Sequence, residues 1–335
     1  MRYLFEISKE HISLPKSEIF ACLESEEYNY KLIESNEDLI IIETDVVKQK
    51  IEKLSKRLSN SFYVSEFLFS SKPQKENIKI IAKNYLIKES GSIAVKYKNR
   101  SKQIKSKEIV SAIAEIYTKN RQVSLEKSDV EIRALITDNK IYVGNKIAKI
   151  DRTQYEQRKV QNRPFFSPIS LHPKLARTIV NLTSIKSGET LFDPFCGTGG
   201  ILIEAGLIGA KVFGSDIEEK MIIGCKKNLE YYGINNYKLF NKDIGEIVTY
   251  IKKMDAIATD FPYGKSTTTK GEKIIDLYER SFSTISQILK DGGKAVVGIS
   301  NKDYLDIGNN YLSIFEIHQV RVHGSLTRYF GVYKK

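Results

Sequence analysis

Cysteine and histidine are both scarce in this sequence. The three cysteines, Cys22, Cys196 and Cys225, lie far apart and form no C-x-x-C pair. That excludes a disulfide framework and a cysteine zinc site, and it fits a reducing, cytoplasmic setting. Four histidines scattered over 335 residues offer no metal-binding constellation, so no metal is expected. No apolar run approaches the roughly 18 residues of a membrane span, and residue 1 leads straight into "RYLFEIS" without a charged-then-apolar leader. Neither membrane insertion nor secretion is expected. Internal repeats and low-complexity tracts are also absent.

What is present describes a folded, multidomain chain. With 41% hydrophobic and 28% charged residues it reads as globular, not disordered, and 335 residues exceed one ordinary core. The net charge of +12 is unevenly spread: residues 1–45 carry −7, residues 46–163 carry +15, and residues 164–335 carry +4. A basic middle segment of this kind is the electrostatic footprint of a polyanion-binding surface.

Residues 1–50, with a boundary that can run to about 75, alternate strand and helix patterns and read as a small α+β unit. Residues 51–150 mix helices with strands "SIAVKYK", "DVEIRALI" and "KIYVG", again an α+β arrangement. Ser106 is a candidate N-cap for the helix "SKEIVSAIAEIYTKN". The polar stretch 151–168 has no apolar period and reads as a linker. From 169 to 335 the rhythm changes to short apolar segments, "ETLFD", "AKVFGSD", "YKLFNKD", "MDAIATD" and "GKAVVGIS", separated by helical patterns. This predicts a doubly wound, Rossmann-like parallel sheet, closed at its edge by an antiparallel hairpin from the two β-rich runs around "HGS".

Acids stand at the ends of four of those strands: Asp193, Asp216, Asp243 and Asp260. In open α/β sheets, ligands bind beyond the carboxyl ends of the strands, so these acids should converge on one crevice. The first is followed by "DPFCGTGG", a loop that turns tightly but lacks both the G-K-[ST] of a phosphate loop and the dinucleotide spacing. A cationic cofactor without phosphates, S-adenosylmethionine, fits better. Asp193 would favour its ammonium, Asp216 its ribose hydroxyls, and Asp243 with Ile244 its adenine. Taken singly, an acid at a strand end can equally cap a helix.

In "TDFPYG", Asp260 and the carbonyl of Phe261 can accept hydrogens from a planar amine, Pro262 can stiffen the turn, and Tyr263 can stack on the ring. Such a clamp turns the amine lone pair toward a methyl donor. A paired base cannot present its amine this way and would have to be flipped or unpaired.

"DPFCGTGG", Asp216, Asp243 and "DFPYG" resemble the motif set of the amino-methyltransferases, in which Asp, Asn or Ser is followed by Pro, Pro and an aromatic. "RPFFSPISLHPKLARTIVNL" is similar to the segment before the catalytic core of the archaeal and eukaryotic tRNA guanosine N2-methyltransferases. "IAVKYKNRSKQIKSKEIVSAIAEIY" and "VEIRALITDNKIYVG" resemble a THUMP domain, an RNA-binding module, behind a ferredoxin-like N-terminal unit. Asp at position 260 is similar to the guanosine-10 family; Asn is more usual in relatives acting on guanosine 6. Phe261 departs from the usual first Pro and removes a fixed φ from the loop.

The resemblance implies a tRNA (guanine-N2)-methyltransferase, with guanosine 10 as target and one or two methyls added. Methylation of guanosine 6, or of a DNA adenine or cytosine, is the alternative. Asp260, Phe261, Pro262 and Tyr263 would be catalytic. His172, Pro173, Asp193, Pro194, Cys196, Gly197, Thr198, Gly199, Asp216, Ile217, Asp243, Ile244 and Asp260 would bind the cofactor. Lys96, Lys98, Arg100, Lys102, Lys105, Lys107, Arg133 and Lys146 would bind RNA. The expected partner is tRNA, not DNA, with a small activator subunit as in some relatives.

Overall fold

The computed structural model describes residues 1–167, 170–263, 272–323 and 326–335. The chain folds into two compact units, one of residues 1–10, 28–56 and 61–151, the other of residues 11–27, 57–60 and 152–335.

The first unit is built on one seven-stranded sheet. Strands β1 (Arg2–Ile7), β2 (Lys31–Ser35), β3 (Leu39–Glu43), β4 (Ser61–Ser71), β5 (Ile93–Asn99), β6 (Val130–Ile136) and β7 (Ile141–Lys149) lie in the order β2-β3-β1-β4-β7-β6-β5. All neighbours are antiparallel except β5 and β6. Because β1 pairs directly with β4, the strands read as an N-terminal unit and those of the basic segment share this sheet. Helix Ser106–Tyr117 buries Ile109, Ala112, Ile113 and Tyr117, the i, i+3, i+4 spacing of one face. That face packs on Val130, Ile132, Ala134 and Ile136 of β6. Ser106 is the first helical residue here, not the cap, which falls to Lys105 without a side-chain hydrogen bond.

The second unit carries β8 (Thr190–Asp193), β9 (Lys211–Asp216), β10 (Tyr237–Asn241), β11 (Met254–Asp260), β12 (Leu289–Ile299), β13 (Ser313–His323) and β14 (Leu326–Lys334). Their order is β10-β9-β8-β11-β12-β14-β13, with β10 through β12 parallel and β14 antiparallel to both neighbours. This is the expected Rossmann-like sheet with its terminal hairpin; the hairpin tip, Gly324 and Ser325, lies outside the described residues. The chain leaves β8 toward β10 and returns to β11 on the other side of β8. That reversal opens a crevice between the ends of β8 and β11.

One helix joins this unit from an unexpected place. Leu14–Ser25, read with the N-terminal strands, lies in the second unit, and its Leu14 and Ala21 enter the core beside Ile179 and Val180. Glu18, fully buried on it, accepts from the amides of Ser59 and Asn60 at 3.0 and 2.9 Å and from Asn181 Nδ2 at 2.9 Å. Residues 151–167, read as linker, include a helical turn, Thr153–Gln157. Its buried Tyr155 donates to the carbonyl of Leu58 at 3.2 Å. Pro168 and Ile169, at the expected domain boundary, lie outside the described residues.

Candidate active site

A cavity of about 510 Å³ sits at the carboxyl ends of β8 to β11, lined among others by Asp193, Asp216, Asp243 and Asp260. All four strand-end acids therefore open into one chamber, of the size that suits a small-molecule cofactor.

Asp193 ends β8 and is only 1% exposed, and burial pushes its carboxyl up to about 7. Its Oδ1 accepts the amide of Phe195 at 3.1 Å, which starts the glycine loop. Gly197 and Gly199 both take positive φ, +48° and +82°. A Cβ on Gly199 would stand 2.6 Å from Cys225 Sγ, so that position tolerates no side chain without displacement. At the end of β9, Asp216 accepts the amides of Gly197 (3.0 Å) and Glu218 (2.9 Å), one on each carboxylate oxygen. Each oxygen keeps a lone pair for a ligand hydroxyl, while burial raises the carboxyl above its ordinary range.

Asp243 lies two residues beyond β10 and is more heavily engaged than expected. The guanidinium of Arg280 forks onto both of its oxygens, at 3.0 Å on Oδ2, and Gly245 donates its amide to Oδ1 at 2.8 Å. Burial works against ionisation, but these bonds outweigh it and hold the carboxyl below its usual range. Arg280 is also bound by Glu272, at 2.7 and 2.8 Å. Asp243 retains acceptor capacity for an adenine amine only beside that fork.

Several expected cofactor residues stand elsewhere. His172 is 40% exposed at its side chain; it caps helix Pro173–Leu182, accepting the amide of Lys174, and faces Glu156 at 3.3 Å. Pro173 is buried as the first residue of that helix, and the wall is formed instead by Ser170 and Leu171. Ser170 and Thr198 place their hydroxyls 3.0 Å apart. Pro194 supports the loop from behind, its carbonyl accepting Ser215 Oγ at 3.1 Å. Ile244 is buried in the core beside Ile247, while Ile217 and Met221 supply apolar lining. Cys196 lines the cavity, but contact with the Cys225 thiol and burial keep its own thiol well above the ordinary range, as suits a buried filler.

The tetrapeptide Asp260, Phe261, Pro262 and Tyr263 lines the same cavity; Gly264, which follows it, is outside the described residues. Phe261 is held by its ring, packed against Phe195, Tyr278 and Phe282 at centroid distances of 5.2, 5.0 and 5.3 Å. Its amide donates to the carbonyl of Gly298 at 2.9 Å, a bond that proline cannot make. Tyr278 donates its hydroxyl to the carbonyl of Pro262 at 2.8 Å. Packing thus replaces the fixed φ that a proline would have supplied. Asp260 receives the Tyr263 hydroxyl on Oδ1 and the Arg328 guanidinium, 3.2 Å away, on Oδ2. Burial still raises its carboxyl, in spite of Arg328.

The basic residues of the first unit divide into two groups. Arg133 is not an available RNA contact: its side chain is 7% exposed and bonds Glu6 through two nitrogens, at 2.7 and 3.1 Å, under the ring of Tyr63. Lys96 and Lys146 both pair with Glu131, at 3.2 and 2.7 Å, and Arg100 lies 3.4 Å from Asp38. Lys98, Lys102, Lys105 and Lys107 are exposed.

Among the described residues no cluster of metal-ligating side chains occurs, and no helix is long and apolar enough to cross a membrane. The family described as "RMKL-like, methyltransferase domain" matches residues 161–329, and a family described as "DNA methylase" matches residues 2–234, stopping short of Asp260. The chain is 34% identical to the tRNA (guanine(10)-N2)-dimethyltransferase of Methanothermobacter thermautotrophicus, with 100% of both chains covered. It is also 34% identical to the tRNA (guanine(10)-N2)-dimethyltransferase of Methanocaldococcus jannaschii, over 99% of each. Among solved structures, TrmN from Thermus thermophilus shares the fold with a TM-score of 0.60 at 16% identity, over 100% of both chains.

Proposed function

The chain belongs to the family of the tRNA (guanine(10)-N2)-dimethyltransferases, and from that premise we propose how its own residues carry the reaction. The activity is methylation of the exocyclic N2 of a tRNA guanosine, with S-adenosylmethionine as donor. The observation that carries this reading is the single cavity lined by Asp193, Asp216, the glycine loop and Asp260 together. Donor and acceptor seats in one chamber convert the transfer into a positioned, effectively unimolecular step.

When bound, the cofactor supplies an electrophilic methyl on a sulfonium. Asp193 would favour its ammonium, Asp216 would take the ribose hydroxyls, and Ile217 and Met221 would flank the adenine beside Asp243. Asp260 Oδ1 and the Phe261 carbonyl would accept the two hydrogens of the guanine amine and direct its lone pair at the methyl. To do so the amine displaces the Tyr263 hydroxyl from Oδ1, freeing the tyrosine to stack on the base. The monomethylated amine keeps one hydrogen and its lone pair, so a second transfer to the dimethyl product uses the same seat. Position 10 is the register proposed, from the names of the relatives that match over the full length.

The first unit would contain the RNA-binding THUMP module within residues 51–150, behind the α+β N-terminal strands, with Lys98, Lys102, Lys105 and Lys107 as its phosphate contacts. A DNA substrate is the weaker reading, because the relatives that match over the full length are named for a tRNA guanine.

Asp260→Ala tests the site by removing the acceptor outright, since an asparagine oxygen could still take an amine hydrogen. Methyl transfer to tRNA should vanish while calorimetric binding of S-adenosylmethionine stays near wild type. Retained transfer would remove Asp260 from the mechanism, and joint loss of both would mark it as structural.

A further inference from the structure

Neither the tetrapeptide nor the glycine loop accounts for Arg328. It lies on β14, in the terminal hairpin, far along the chain from the acids it approaches. Its side chain is 7% exposed, its Nη2 lies 3.2 Å from Asp260 Oδ2, and its guanidinium carbon lies 5.1 Å from the centroid of the Tyr263 ring. The approach is made possible by register. Asp260 of β11 pairs with Gly298 of β12, and Gly298 pairs with Phe330 of β14. Arg328 is two residues from Phe330 and so points to the same face of the sheet. A Cβ on Gly298 would stand 2.5 Å from Asp260 Oδ1 and 2.7 Å from the Phe330 ring. Glycine in the middle strand therefore leaves the room in which the carboxylate and the hairpin meet.

We infer that Arg328 is a positioning residue for the methyl transfer: it pins Asp260 by Oδ2, leaving Oδ1 for the substrate amine, and it backs one face of Tyr263, leaving the other for the base. The inference rests on the activity proposed above. In the step itself the amine nitrogen forms the new N–C bond, the S–C bond breaks and the sulfonium becomes a neutral thioether. The methylated amine, cationic once the N–C bond has formed, then sheds its proton to solvent water. Arg328 keeps Asp260 anionic through this sequence, as an acceptor with fixed direction. Among the described residues, four groups face Asp260: Tyr263 from its own loop, Arg328 from β14, Tyr278 from helix Ile274–Ile288, and Asp193 from β8. Arg328 is the cation of that set, so its removal moves Asp260 titration to higher pH.

The test compares wild type, Arg328→Met and Arg328→Lys in three readouts: kcat against pH with unmodified tRNA, cofactor binding by calorimetry, and the Asp260 carboxyl titration by ¹³C NMR. Arg328→Met should lower kcat by about 10²-fold, shift the acid limb to higher pH and leave cofactor affinity unchanged. Arg328→Lys should restore the acid limb but only part of kcat, because an ammonium lacks the planar group that lies beside the Tyr263 ring. Wild-type kcat and acid limb in Arg328→Met would overturn the inference. If Arg328→Met loses cofactor binding, the lysine variant decides: a wild-type limb with lowered kcat supports the inference, and wild-type values of both overturn it. A wild-type chain that methylates no tRNA would sink the activity reading instead. The carboxyl titration then decides Arg328 alone, and an unchanged titration in the methionine variant overturns its role.

Discussion

Asp193 binds a proton in the free protein at pH values where an ordinary carboxyl would not, because burial pushes it up to about 7. A cofactor ammonium favours the carboxylate, so binding must expel that proton. Cofactor affinity should therefore rise with pH, by roughly tenfold per pH unit below 7, and level off above it; a flat calorimetric profile from pH 5 to 8 would refute Asp193 as the ammonium partner. Phe261 makes the opposite kind of case. The sequence marks it as a departure from the usual proline, but its partners, Phe195 of the glycine loop and Tyr278 and Phe282 of helix Ile274–Ile288, are brought to it only by the fold. Restoring the family's proline should not help. Phe261→Pro removes the amide bond to Gly298 and a fully packed ring, and should cost about 3 kcal/mol or more of stability; an unchanged melting curve would contradict this.

At the scale of elements, alternation along a strand was legible and partners across strands were not. In "VEIRALI" the period of two separates Val130, Ile132, Ala134 and Ile136 from Glu131 and Arg133, and the structure keeps that division. The resemblance to an RNA-binding module makes Arg133 an RNA contact, and its partner Glu6, 127 positions away, leaves no local sign of the pair. Arg133→Ala should destabilise the first unit by about 3–5 kcal/mol, since it strands a buried carboxylate, and a chemical denaturation curve checks it. Helix Leu14–Ser25 teaches the same lesson. Its pattern reads as a helix among the N-terminal strands, whereas its place in the second unit depends on Ser59, Asn60 and Asn181 gathering around Glu18. Strand-end acids were the easiest part of the site to read, because a parallel sheet delivers them to one edge whatever the loops do. Arg280 and Arg328 were not legible: one is placed by a helix register, the other by a hairpin register, and neither leaves a local pattern.

Over the whole molecule, the +15 carried by residues 46–163 is the feature that composition alone exposes. Part of it is spent on internal pairs, as at Arg133, Lys96 and Lys146. Replacing Lys98, Lys102, Lys105 and Lys107 by Gln should weaken tRNA binding and flatten its salt dependence, by about 0.7 to 0.9 in the log–log slope for each phosphate no longer neutralised. The melting temperature should stay within a degree or two of wild type, since these side chains are exposed. The central claim is that one cavity joins a methyl donor to a guanine amine. Its most direct test is to incubate the purified chain, alone, with labelled S-adenosylmethionine and unmodified tRNA, then identify and map the product nucleoside. N2-methylguanosine followed by N2,N2-dimethylguanosine at position 10 is expected, and label on any other base or atom would refute the shared seat for methyl donor and guanine amine.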